Sequence, residues 1–190
     1  MTARPASAPR TLVVLGHGAG GGIDAVDLTA VTDALVRAGH AVALVVQPYR
    51  VAGRRAPAPA AQLDVAWLAV CAELRTRPGF GAPVPLVVGG RSSGARVACR
   101  TAAASGAAAV LALAFPLHPP ARPEASRRAE LTAVRCPLVV LQGDRDAFGA
   151  PAEFPPGLDV RPIPGADHTL RRDPDAVAGA ALDALARLFP

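Results

Sequence analysis

The stretch Val84–Ala98, VPLVVGGRSSGARVA, decides the fold. Its first part, Val84–Val88, is a short apolar run rich in β-branched residues, as in a strand buried on both faces of a parallel sheet. Its last part opens a helix that the pattern carries from Ser93 to Ser105. Between them, Gly90-Arg91-Ser92-Ser93-Gly94 matches G-x-S-x-G, and strand, turn and helix form the frame that a nucleophile elbow requires. The small flanking residues allow a sharp, strained turn that lifts the Ser92 hydroxyl clear of the sheet edge. The helix N-terminus behind it offers the Ser93 backbone N–H to a developing oxyanion. The competing reading is a Gly/Ser-rich helix start with no chemistry.

Similar runs recur on both sides. Thr11–Leu15, Ala41–Val46, Ala108–Ala114, Leu138–Gln142 and Leu158–Ile163 read as further strands. Helical spacing fills the gaps. One helix runs to about Ala38, with Asp24 as its N-cap and Gly39 just past its end. A second spans Gln62–Thr76 with Trp67 in the core, and a third opens at Asp173 or Pro174. Gln47–Pro59 reads as a basic, Pro-containing loop, and Glu124–Thr132 as a short polar segment. The alternation predicts an α/β fold with about six mostly parallel strands and helices on both faces. Residues 1–10 read as a flexible tail and residues 11–190 as a single domain.

A nucleophilic serine needs a base and an orienting acid. Gly143-Asp144-Arg145-Asp146 closes the Leu138–Gln142 strand, and Pro164-Gly165-Ala166-Asp167-His168 closes the Leu158–Ile163 strand. Both loops lie on the sheet edge that presents Ser92, where open parallel sheets bind ligands. The order Ser92, Asp146, His168 is that of the α/β-hydrolase triad. His168 is the candidate general base and Asp146 the residue that fixes its tautomer. Asp144 competes with Asp146, which is favoured because it sits past the turn glycine. Asp167 reads as a turn or capping residue, and His40 as a surface residue closing a helix.

The first glycine loop, Gly16-His17-Gly18-Ala19-Gly20-Gly21-Gly22, contains a literal G-x-G-x-x-G. A dinucleotide site also wants an acid closing the next strand, and Gln47-Pro48-Tyr49 supplies none. The loop therefore reads better as an oxyanion loop, with the Ala19 backbone N–H, joined by Gly20, as a second donor beside Ser93. A plain tight turn is the third reading. His17, His118 and Arg91 are the candidate substrate contacts.

Together LGHGAGG (15–21), the PYR…RR…P loop (48–59), GGRSSGARVA (89–98), FPLHPP (115–120), LQGDRDAFG (141–149) and GADHTL (165–170) resemble the α/β-hydrolase superfamily. More narrowly they are similar to a compact, dienelactone-hydrolase-like branch. That branch is related to the hydrolase-like domains of a testis-expressed protein and of a subunit of the non-specific-lethal chromatin complex. Relatives often read Gly-Lys-Ser-Met-Gly-Gly at the elbow, so Arg91, Ser93 and Ala95 depart from the pattern. In the acid loop, Asp146 and Phe148 match while Asp144 and Ala147 do not. The resemblance implies a minimal α/β-hydrolase fold without its first strands. Phe115–Arg135 is too short for a helical cap, so the site is expected to be shallow and open, bordered by His118 and Arg54–Arg55.

Composition narrows the function. The chain has 190 residues, 51% hydrophobic and 18% charged, which excludes a disordered segment. All 20 basic residues are Arg, and there is no Lys or Asn, a pattern of GC-rich codon usage rather than of nucleic-acid contact. The arginines are dispersed and aromatics make up only 4%, leaving little to stack on bases. No run is long and apolar enough to cross a membrane, and residues 1–10 lead into no apolar signal core. Cys71, Cys99 and Cys136 are odd in number and widely spaced, as expected of buried thiols in a cytoplasmic protein. No metal and no cofactor is implied. The expectation is a monomeric or homodimeric serine hydrolase that cleaves a small ester, thioester or lactone. A protein-interaction domain that keeps this fold without catalysis is the alternative.

Overall fold

The computed structural model describes residues 1–78, 80 and 83–190. Seven strands form one sheet: β1 (Thr2–Ala3), β2 (Leu12–Gly16), β3 (Ala41–Val45), β4 (Leu86–Arg91), β5 (Ala109–Leu113), β6 (Leu138–Gly143) and β7 (Asp159–Ile163). Their order is β1-β3-β2-β4-β5-β6-β7, and every neighbouring pair is parallel except β1 with β3. The six parallel strands are those the apolar runs predicted. The seventh lies within the expected tail. Thr2 and Ala3 pair antiparallel with Ala43 and Val42, and the Met1 ammonium donates to the Leu44 carbonyl (3.0 Å). Two residues carry no periodicity, so backbone pairing decides here what side-chain pattern does not.

The sheet is hydrophobic on both sides because each strand alternates into two layers. From β2, Leu12 and Val14 enter one core with Leu63, Trp67 and Phe115. Val13 and Leu15 enter the other with Leu28, Leu35, Val177 and Leu185. Helices α3 (Ala60–Thr76) and α4 (Ser93–Ser105) cover the first face, and α1 (Val26–Arg37) and α6 (Pro174–Leu188) the second. Short helices α2 (Pro48–Val51) and α5 (Arg128–Thr132) lie in the segments read as a loop and as a short polar segment. Between β5 and α5 there is no helix among the described residues, so nothing forms a cap.

Two local expectations are corrected. The N-cap of α1 is Ala25, with no side-chain cap bond, rather than Asp24. His40 is buried, not a surface residue: after Gly39 (φ 88°) the chain turns into β3, and the His40 Nδ1 meets Thr11 Oγ1 at 2.9 Å. By contrast Asp173 does cap α6, accepting the Ala176 N–H at 2.9 Å. The three cysteines are unpaired: Cys71 and Cys99 are buried and Cys136 is half-buried just before β6. Among the described residues no helix is long and apolar enough to cross a membrane.

Candidate active site

Ser92 joins β4 to α4 in a strained backbone conformation, φ 54° and ψ −109°. A non-glycine residue with positive φ costs energy and persists only where its surroundings over-determine it. Here the Gly16 backbone on β2 provides that constraint. A Cβ on Gly90 or Gly94 would collide with the Gly16 main chain, so the elbow closes only with both glycines in place. The Ser92 N–H is held by the Leu113 carbonyl of β5 (2.9 Å). Ser93 opens α4, where its N–H has no acceptor within the helix.

His168 Nε2 lies 2.8 Å from Ser92 Oγ, and His168 Nδ1 lies 2.8 Å from Asp146 Oδ2. A carboxylate only accepts, so Nδ1 carries the proton and Nε2 accepts the Ser92 hydroxyl hydrogen. The Asp146 side chain is fully enclosed. Its Oδ2 also accepts from Gln142 Nε2 (2.8 Å), and its Oδ1 accepts from the Phe148 N–H (2.8 Å). The Phe148 ring stacks on the His168 imidazole with centroids 4.1 Å apart and planes 28° apart. Asp144, the competing acid, is exposed on the turn. Asp167 accepts from the Thr169 N–H and hydroxyl and so shapes the histidine turn.

The glycine loop is pinned by residues of the segment read as a basic, Pro-containing loop. Gln47 holds His17 from both sides: its backbone N–H donates to His17 Nε2 (3.0 Å), and its side-chain amide donates to the His17 carbonyl (2.9 Å). The His17 Nδ1 then donates to the Gly18 carbonyl (2.8 Å), which makes the ring neutral. Burial pushes the His17 pKa below its ordinary value, and the nearby Arg50 and Arg91 charges act in the same direction. Tyr49 donates to the Ala19 carbonyl (3.0 Å), and the Arg50 guanidinium donates to the Gly20 (3.3 Å) and Gly21 (3.1 Å) carbonyls. With its carbonyls turned into α2, the loop can present its amides elsewhere. Ala19 and Gly20 line the cleft that also holds Ser92, Ser93 and His168. The PYR motif is the signal that marks this clamp.

That cleft has a volume of about 580 Å³. Pro57, Ala58, Leu63 and Pro116 supply apolar wall. Arg91 reaches it as expected, with its guanidinium against Gly18 and Gly21 and its Nε 3.6 Å from the buried Asp27 carboxylate. Burial pushes the Asp27 pKa up, and Arg91 opposes the rise. The other two expected substrate contacts are displaced. His17 is wholly buried beneath the loop. His118 lines a separate hollow, with Nε2 3.0 Å from Glu153, because the chain after β5 turns it toward the 3-10 turn Pro151–Glu153. Arg54 borders another groove and Arg55 is exposed. Arg96, Arg100 and Arg127 take their place at the cleft. Arg96 and Arg100 stand one and two turns after Ser92, a helical spacing that was available in the sequence. Among the described residues no cluster of three metal-ligating side chains forms.

The fold is shared with known proteins. A lidless α/β serine hydrolase from Xanthomonas campestris superposes with a TM-score of 0.76 at 21% identity, covering 100% of this chain and 88% of its own. The ferulic acid-bound Est1E from Butyrivibrio proteoclasticus gives 0.77 at 17% identity, covering 99% and 94%. The dienelactone hydrolase from Anabaena variabilis gives 0.70 at 22% identity, covering 96% and 87%. No curated protein matches the chain by sequence. The family model described as an alpha/beta hydrolase domain matches residues 9–184, and the chain belongs to that family.

Proposed function

We propose that this protein is a serine hydrolase that cleaves a small ester, thioester or lactone through an acyl-enzyme on Ser92. One observation carries the reading: Ser92 Oγ, His168 and Asp146 form an unbroken hydrogen-bonded chain with both links at 2.8 Å. His168 Nε2 takes the hydroxyl proton as Ser92 Oγ bonds to the substrate carbonyl carbon. The carbonyl oxygen becomes an oxyanion, for which the Ser93 and Ala19 N–H groups are the proposed donors. The imidazolium returns the proton to the leaving oxygen or sulfur, and the acyl group stays on Ser92. Water then gives a proton to His168 as its oxygen bonds to the acyl carbon, and the imidazolium returns that proton to Ser92 Oγ as the acyl–Oγ bond breaks and the acid leaves. Three unpaired cysteines suit a reducing, cytoplasmic compartment. The motif-level relation to the dienelactone-hydrolase-like branch and its chromatin-complex relatives belongs to the same reading.

A fluorophosphonate probe tests it. Labelling of the native protein is expected to map to Ser92 and to vanish in Ser92→Ala. Native protein that takes no label, on a sample whose melting curve shows it folded, overturns the catalytic reading in favour of a protein-interaction domain.

A further inference from the structure

We propose that the substrate carries a carboxylate, and that Arg127 is the residue that binds it. This rests on the hydrolase reading and adds the substrate class. The cleft around Ser92 is lined by four arginines and, among its lining residues, no Asp or Glu. Three of the four are matched from behind. Arg91 lies beside Asp27, Arg96 makes a two-point contact with Glu130 (2.9 and 2.5 Å), and Arg100 makes one with Asp64 (2.9 and 2.6 Å). Arg127 has no carboxylate within 4.0 Å among the described residues; its Nη1 donates to the Pro116 carbonyl (2.9 Å). A guanidinium has five N–H donors, so that single bond leaves capacity for a planar two-oxygen partner.

The surroundings sharpen the point. Among the described residues, Arg96, Arg100 and Arg127 have only Asp64 and Glu130 as counter-charges, leaving one positive charge in excess. That charge sits in a partly enclosed cleft, where opposite charges attract more strongly than in open water. Burial and the neighbouring Arg96 lower the Arg127 pKa, and the Glu130 charge, already paired with Arg96, opposes them only in part. The Pro116 carbonyl holds the Arg127 guanidinium at the cleft wall, so an anion would find it placed beforehand. Pro57, Ala58 and Leu63 on the same cleft suit a short methylene chain between the carboxylate and the scissile carbonyl.

The carboxylate can sit on the acyl side or on the leaving group, and matched pairs separate the two. The acyl arm compares mono-p-nitrophenyl adipate with p-nitrophenyl hexanoate. The leaving-group arm compares 4-acetoxybenzoate with its methyl ester. In one arm the anionic member is expected to show a kcat/KM about tenfold higher than its neutral match, as a partly buried ion pair gives. The ratio should fall toward one in Arg127→Gln and with added salt, and persist in Arg127→Lys. Ratios near one in both arms overturn the proposal, as does a ratio that survives in a folded Arg127→Gln. If no ester turns over and folded protein takes no fluorophosphonate label at Ser92, the hydrolase reading fails on its own. Calorimetry of Ser92→Ala with monoethyl adipate and ethyl hexanoate then decides, since equal affinity for the two rejects an anion site.

Discussion

Gln142 shows how much of the triad's geometry is set one step away from it. Its side chain is fully buried at the end of β6, and Nε2 donates both to Asp146 Oδ2 and to the Gly149 carbonyl (2.8 Å each). Replacing it with leucine leaves two buried acceptors short of a donor, which costs about 1–3 kcal/mol. Gln142→Leu is therefore expected to lower the melting temperature and to reduce kcat about tenfold with little change in KM, because the acid loses orientation rather than the substrate its contacts. Steady-state kinetics on any turned-over ester check this. Phe148 acts beside it, with its N–H fixing Asp146 and its ring fixing the His168 plane. The triad residues themselves were legible from order and strand context. Gln142 was not, since a glutamine inside an apolar strand gives no hint of which carboxylate it will meet. His17 and His118 were misplaced for a related reason: a histidine near a loop says nothing about which way its ring turns.

Among the secondary-structure elements, α2 is the least visible in sequence and the most consequential for the site. Four residues cannot show helical periodicity, and Pro48 suggested only a loop. Yet Gln47, Tyr49 and Arg50 take up the loop carbonyls of His17, Ala19, Gly20 and Gly21. Arg50→Met is expected to free the Gly20–Gly21 carbonyls while keeping the stem's packing. The loop should then sample orientations that withhold an amide from the oxyanion, and kcat should fall about tenfold. Faster hydrogen exchange across residues 18–22 would distinguish this from a lost substrate contact. The longer elements were legible because their signals are redundant. The parallel strands β2 to β6 are mostly apolar runs buried between two helical layers, and α6 carries a proline, a capping aspartate and an apolar stripe that agree.

Across the domain, buried histidines set how stability responds to acid. His17 and His40 both have pKa values pushed below 6.5, chiefly by burial. The unfolded chain therefore binds protons first, and stability is lost as pH falls through about 6.5 and below. His118 works the other way. Its bond to the Pro119 carbonyl and then its contact with Glu153 raise its pKa, so its contribution is full below 6.5 and lost as pH rises past its folded value. Asp27, raised by burial, also favours the acid side, but from the carboxylate range upward. Two wholly buried rings outweigh one pair whose carboxylate, Glu153, is open to solvent. The melting temperature is expected to drop by several degrees between about pH 7 and pH 5, and His40→Gln should flatten that drop. A melting temperature that rises over this interval would refute the assignment of His17 and His40 as neutral.

The contact between β2 and the elbow also limits how this protein can change over generations. What excludes a side chain at positions 90 and 94 is the main chain of Gly16, not any neighbouring side chain. A main chain is present whatever residue is encoded there. No second substitution at residue 16 can make room, so a lost elbow glycine has no compensating partner in that strand. In a library that varies all three positions together, Gly90 and Gly94 should return as single-residue solutions with no epistatic rescue. Ser92, whose hydroxyl faces the cleft and bonds only to His168, should instead give folded but inert members. The chemistry of this site can be discarded more easily than the turn that displays it.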